Sequence, residues 1–230
     1  LGRLLFLEVV MDLTVIITAG GIGKRMGKEL PKQFLNLNDK PILQHTIEVF
    51  SVFDKNAQLI VTLPEHWIEY WNELCKKNNF IIPHEVVSGG TERFDSVKNA
   101  LNKALGEKVL IHDGVRPLVS EKIINDVLIH ITMENGVVPS VSLKSSLRKG
   151  SPNNNQFVDR SEFWEVQTPQ GFMRKTLVKA YAQEFSPEIT DDASLVEKSG
   201  KPIYMVAGDY SNIKITTPED MLIGSKLLAD

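Results

Sequence analysis

From Ala19 the chain reads Ala-Gly-Gly-Ile-Gly-Lys-Arg-Met-Gly, and Lys28, Leu30, Pro31, Lys32 and Gln33 follow. Glycines at 20, 21 and 23 let the backbone take positive φ and come close to a ligand, so several N–H groups can converge on one anion. Lys24, Arg25, Lys28 and Lys32 set four cations among nine residues, and such charges repel unless an anion neutralises them. The chemistry this suggests is capture of phosphate oxygens. A tight turn carrying solvated lysines is the competing reading, but it does not explain the charge density. Two commoner phosphate motifs fail here. A dinucleotide fingerprint starting at Gly21 needs a glycine where Met26 stands, and a Walker A loop needs Ser or Thr where Arg25 follows Lys24.

A phosphate loop works only if a rigid strand delivers it, and β-branched runs supply candidates. Residues 15–18, 59–63, 84–87, 109–112 and 136–141 read as strands. Helical periodicity fills the spaces between. Over residues 93–105, Phe94, Val97, Leu101 and Ala104 share one face; a second stripe over 123–131 opens at Ser120 as N-cap; Thr217, Pro218 and Glu219 start a third, over 221–228. This alternation predicts an α/β, Rossmann-like fold: a mostly parallel sheet with helices on both faces and ligands at the strand C-terminal ends. The pattern breaks over about 142–167, where Gly150, Pro152 and Asn153 to Asn155 interrupt it. We read that stretch as a protruding β-arm covered by a second subunit, since a lone hairpin is marginal in water. A mobile surface loop is the alternative.

Composition narrows the classes further. At 230 residues with 42% hydrophobic and 24% charged side chains, one globular domain over 11–230 is expected, with residues 1–10 an N-terminal extension before Met11. A net charge of -3 argues against a nucleic-acid partner, which asks for a basic face. No apolar run reaches the roughly 18 residues that a membrane span requires. Arg3 and Glu8 interrupt the apolar start and no small-residue cleavage site follows, so a signal peptide is not expected. Cys75 stands alone; no intrachain disulfide can form, and a reducing, cytoplasmic setting is expected. It reads as a thiol packed on a helix face, and the five histidines show no metal-ligand spacing.

The loop and the Pro31-Lys32-Gln33-Phe34 segment resemble the 2-C-methyl-D-erythritol 4-phosphate cytidylyltransferase family. Further blocks follow in the family's order: Gly89 to Val97, His112 to Pro117, Asp159-Arg160, Gln167 to Gln170, Thr190 to Ser194 and Asn212 to Thr216. The resemblance covers the chain from Leu13 onward. It implies in-line attack of a sugar-alcohol phosphate on the α-phosphorus of CTP with loss of pyrophosphate, assisted by Mg²⁺. Such a nucleophile is already ionised, so the site's task is to hold two anions together and stabilise added negative charge. Ribitol 5-phosphate cytidylyltransferases share the loop and the Asn212 to Thr216 block and are the nearest rival; a nicotinamide-dependent oxidoreductase is a more distant one.

By the same resemblance, Arg25 and Lys32 stabilise the transition state, with Lys24 adding charge, and Arg160 and Lys214 position the acceptor phosphate. Asp113, Arg116 and Ser146 fall on the acceptor side, and Asp113 also approaches the metal, which the phosphates mainly hold. Ala19, Gly20, Gly21, Gly23, Gly90, Thr91, Ser96 and Gly114 fall to the nucleotide, largely through backbone groups. Thr91 and Gly114 stand where acidic residues and alanine are common in the family, and Ser146 takes the slot of a threonine. Arg160 lies on the arm, so a homodimer in which it reaches the neighbour's site is expected. Thr190-Asp191-Asp192 reads as a helix cap.

Overall fold

A computed structural model describes residues 12–21 and 30–229. In chain order its elements are β1 (Leu13–Thr18), β2 (Asn36–Leu37), β3 (Lys40–Pro41), α1 (Ile42–Phe53), β4 (Gln58–Leu63), α2 (Glu65–Lys77), β5 (Glu85–Ser88), α3 (Arg93–Leu101), β6 (Lys108–Asp113), α4 (Glu121–His130) and β7 (Gly136–Ser142). The second half adds β8 (Leu147–Ser151), β9 (Asn154–Val158), β10 (Trp164–Val166), β11 (Gln170–Met173), α5 (Arg174–Ala180), α6 (Asp192–Lys198), β12 (Ile203–Ala207) and α7 (Pro218–Leu227).

The central sheet runs β10-β7-β11-β6-β1-β4-β5, with β12 also paired to β7. β1 is parallel to both neighbours, β4 and β6. Its continuous apolar run is buried on both faces, as a central parallel strand requires. One face packs against α1, α2 and α4 through Ile47, Trp71 and Ile124. The other packs against α3, α5 and α6 through Val97, Leu177 and Leu195. The chain steps from β1 outward to β4 and β5, then returns to β6 on β1's other side. That reversal opens a crevice at the C-terminal ends of β1, β4 and β6, where such sheets bind ligands.

The five strands expected from sequence are present, each within a residue or two of its expected bounds. Ser120 caps α4 through Ile123 N–H, and Thr217 caps α7 with Pro218 in its first turn. Three features differ from expectation. α3 stops at Leu101 although Ala104 is buried as its stripe requires. The amide of Gln58 donates to Lys103 O at 2.9 Å and accepts from Leu105 N at 2.8 Å, drawing the chain out of the helix. β10 and β11 run antiparallel to their neighbours: the chain leaves β7 for the β8–β9 hairpin, comes back along β7 as β10, and continues in the same direction into β11, with no helical crossover between. Within the stretch read as an arm, β8 and β9 form a separate two-stranded antiparallel sheet, whereas Trp164–Val166 joins the central sheet through β7.

Asp191 is the N-cap of α6, accepting from Ser194 N, as the cap reading expects. Asp192 does something else: fully buried, it binds Arg93 Nη2 at 2.6 Å and Tyr181 Oη at 2.5 Å. Cys75 lies half-buried on α2 against the first core, and burial pushes its thiol up to about 11.

Candidate active site

A cleft of about 340 Å³ opens over the C-terminal ends of β1, β4 and β6. Thr18 and Ala19 enter it from β1, Thr62 and Pro64 from β4, and Asp113 from β6. Gly20 and Gly21 continue from β1; a Cβ on Gly20 would meet only Ser96 Oγ, at 4.0 Å, and one on Gly21 would stand in open space, which leaves room for a ligand to meet their backbone. Gly23, Lys24 and Arg25 lie outside the described residues.

On the far side of the glycine loop the chain returns at a 3-10 turn, Lys32–Phe34, with Lys32 nearly buried and lining the cleft. Phe34 anchors this turn among the rings of Trp67, Tyr70 and Trp71, with centroids 5.6, 5.1 and 6.0 Å away. The Gln33 side chain donates to Ala19 O at 2.6 Å, so the two ends of the loop are tied directly together. Gln33 lies within the Pro31-Lys32-Gln33-Phe34 motif, but nothing in its sequence context gives it this tie.

Gly89, Gly90, Thr91 and Ser96 form the opposite wall. Ser96 Oγ accepts from Gly90 N at 3.1 Å and donates to Glu92 O at 3.1 Å. A Cβ on Gly90 would stand 2.2 Å from Asp95 Cβ, so only glycine lets the turn fold this tightly on the start of α3. Glu92 and Asp95 complete a capping box there. Arg93 lines the cleft as well; tied to Asp192, it adds a cation that the sequence reading did not single out.

Asp113 and Lys214 close the third side. Asp113 Oδ2 accepts from Lys214 Nζ at 3.0 Å and from Arg116 Nε at 3.2 Å. Burial alone would raise the Asp113 pKa, yet Lys214, Arg93 and Arg116 outweigh it and hold the carboxyl well below the usual range. Arg116 sits behind Asp113, buried and outside the cleft lining, with Nη1 donating to Asn212 O at 2.8 Å. Beneath them His112 is fully buried, and burial pushes its pKa down to about 4, against the pull of the Arg116 carbonyl.

Of the remaining sequence candidates, Gly114 is buried outside the lining, its N–H bonded to Thr18 O at 2.9 Å and its carbonyl to Thr46 Oγ1 at 3.2 Å. Its backbone polar groups are thus engaged within the protein. Ser146 and Arg160 are exposed on the stretch that carries β8 and β9, apart from this cleft, and Arg160 Nη1 donates to Lys144 O. Among the described residues, no three His, Cys, Asp or Glu side chains gather as a metal cage, and no helix is long and apolar enough to cross a membrane.

Comparison with known proteins matches this arrangement. A family model described as 2-C-methyl-D-erythritol 4-phosphate cytidylyltransferase covers residues 13–230. The protein of that name from Bacteroides fragilis is 45% identical over 219 residues, spanning 95% of this chain and 100% of the relative. Its Bacteroides thetaiotaomicron counterpart is 46% identical over 220 residues, with 95% and 100% covered. Among solved structures, 2-C-methyl-D-erythritol 4-phosphate cytidylyltransferase from Thermus thermophilus superposes with a TM-score of 0.76 at 29% identity over 96% of this chain and 100% of that one. 4-Diphosphocytidyl-2C-methyl-D-erythritol synthase from Anaerococcus prevotii gives 0.77 at 27% identity over 95% and 96%. With the glycine turns, Lys32, Asp113 and Lys214 assembled on one cleft and the match running from the first strand to the last residue, this chain belongs to the 2-C-methyl-D-erythritol 4-phosphate cytidylyltransferase family.

Proposed function

We propose that the cleft binds CTP against Ala19, Gly20, Gly21, Gly90, Thr91 and Ser96, and binds the acceptor phosphate beside Asp113 and Lys214. The enzyme is a nucleotidyltransferase that moves CMP from CTP to 2-C-methyl-D-erythritol 4-phosphate and releases pyrophosphate. The observation that carries the assignment of roles is that Lys32 and Lys214, far apart in sequence, line one cleft together with both glycine turns. The acceptor's phosphate oxygen attacks the α-phosphorus, the bond to the pyrophosphate oxygen breaks, and negative charge grows on the α-phosphate. Lys32, with Arg25 from the loop, is placed by this reading to stabilise that charge. Lys214 offers a point charge to the acceptor phosphate, its ammonium oriented by Asp113 at 3.0 Å.

The donor set suits a Mg²⁺ ion carried mainly by the triphosphate. Asp113 is the deepest carboxylate of the cleft and Glu92 stands at its wall, and Mg²⁺ typically takes one or two carboxylates plus phosphate oxygens. When bound, Mg²⁺ neutralises triphosphate charge; Asp113 is the residue that would hold it, and the lysines orient the anions.

We further infer that the protein works as a homodimer. The β8–β9 hairpin exposes Phe157, and Phe163 and Trp164 nearby are about half exposed, an apolar set suited to a second copy. In that assembly Arg160 and Ser146 would complete the neighbour's acceptor site. Measuring pyrophosphate release with CTP and Mg²⁺ against 2-C-methyl-D-erythritol 4-phosphate and ribitol 5-phosphate tests the assignment. Strong preference for the methylerythritol phosphate is expected; preference for ribitol phosphate would overturn it.

A further inference from the structure

The turn from Asp113 to Arg116 carries two acceptor-side residues on a short loop, closed by one backbone bond, Arg116 N to Asp113 O at 3.0 Å. What holds that turn lies beneath it. The Arg116 carbonyl can only accept, so the 3.0 Å contact places a proton on His112 Nε2. With the ring neutral, Nδ1 is then an acceptor, and the Thr168 hydroxyl, 2.9 Å away, must donate to it. That leaves the Thr168 oxygen free to accept from Asp113 N at 3.1 Å. Thr168 O in turn accepts from Asn212 Nδ2 at 2.9 Å, and Asn212 O accepts from Arg116 Nη1 at 2.8 Å. The circuit returns through Arg116 Nε and Lys214 Nζ to Asp113 Oδ2. Phe50 packs edge-on to the imidazole, with centroids 4.9 Å apart, and fixes the ring plane.

We propose that His112 is a positioning residue for the acceptor phosphate: its Nε2 pins the Arg116 end of the 113–116 turn directly, its Nδ1 pins the Asp113 end through Thr168, and together they set where Asp113 presents Lys214. Both nitrogens are engaged by Arg116 and Thr168, and among the described residues the side chain makes no hydrogen bond to Gly20, Gly21 or residues 89–91, so the effect falls on the Asp113–Lys214 side and not on the glycine turns that meet the nucleotide. The proposal rests on the functional reading above for which substrate sits beside Lys214.

The test uses the full chain and three variants. H112L removes both bonds at similar volume, H112N keeps an acceptor near Nδ1, and H112Q keeps a donor near Nε2. For H112L, kcat/KM for the acceptor at saturating CTP is expected to fall on the order of 10- to 100-fold, the scale of losing buried hydrogen bonds. CTP affinity, titrated calorimetrically without acceptor and without Mg²⁺, so that Asp113 has no metal to hold, should stay within about twofold, because an effect confined to one substrate is differential binding at that subsite. H112N and H112Q should fall between H112L and the native chain, as each retains one bond. Native acceptor kinetics in all three variants would overturn the proposal, as would parallel losses of CTP and acceptor binding, the mark of a merely structural residue. Should H112L fail to fold, H112N and H112Q decide by the same split. If the unaltered protein turns over neither substrate, the functional reading fails instead.

Discussion

Lys32 is nearly buried at the cleft wall, and a cation held there is desolvated before any substrate arrives. A phosphate bound beside it is attracted more strongly than in water, and more so when the α-phosphate gains charge, because a low-dielectric wall strengthens the attraction. Lys32→Ala should therefore lower kcat by roughly 10²- to 10³-fold, the scale of removing one transition-state donor. Circular dichroism and melting should stay native, since Phe34 and Gln33 anchor the turn through their own contacts. Activity within a few-fold of native would remove Lys32 from the mechanism. The opposite case is Cys75, whose thiol is pushed up to about 11 by burial. Only the thiolate reacts, so labelling at neutral pH should run roughly 100-fold slower than for an exposed thiol and rise about tenfold per pH unit up to pH 11. Stopped-flow labelling of the folded chain with a disulfide reagent checks this; a fast neutral-pH reaction would contradict it. Single residues were legible in sequence where charge or glycine clusters drew attention to them. Arg93 and Gln33 lay within quoted motifs, but their tasks depend on partners 99 and 14 residues away, which no local pattern reveals.

At the scale of elements, the strands could be read because a strand buried on both faces is apolar over most of its length, and such runs as Val15 to Ile17 show it. Helix starts were legible too, because Ser120, Asp191 and Thr217 are local caps. The end of α3 was hidden: its terminator is the Gln58 side chain, at the start of β4. The antiparallel strands β10 and β11 were equally hidden, since pairing direction is settled by tertiary contact and not by composition. The turn before α3 is where an element and the site meet. Gly90 packs so closely on Asp95 that an added Cβ would force the turn off the helix start. Gly90→Ala should therefore destabilise the fold by about 1–3 kcal/mol, the range for overpacking, and raise the KM for CTP while leaving acceptor KM near native. Denaturant unfolding and steady-state kinetics read both effects. Unchanged stability would mean the turn relaxes freely and its glycine serves some other purpose.

At the scale of the whole molecule, the expected α/β sheet with helices on both faces is what the chain forms, but one protomer leaves two of its candidate site residues away from the cleft. Arg160 and Ser146 are exposed on the stretch carrying β8 and β9, whereas Lys32, Asp113 and Lys214 share the crevice at β1, β4 and β6. Sequence order marks these residues as a group without saying which of them one subunit can bring together; the proposed homodimer would bring Arg160 of a second copy to the cleft. If so, the two defects are separable between subunits. Lys32→Ala and Arg160→Ala should each be nearly inactive as pure preparations. In a reassembled equimolar mixture, half the dimers pair one variant with the other. The cleft of the Arg160→Ala subunit keeps its lysine and receives the partner's intact arginine, so one site in each mixed dimer works. Activity should return to about a quarter of the native value, the fraction fixed by random pairing in a two-fold dimer. Recovery would fail if Arg160 served its own protomer's cleft, because each subunit in the mixture would then still lack one of the two cations.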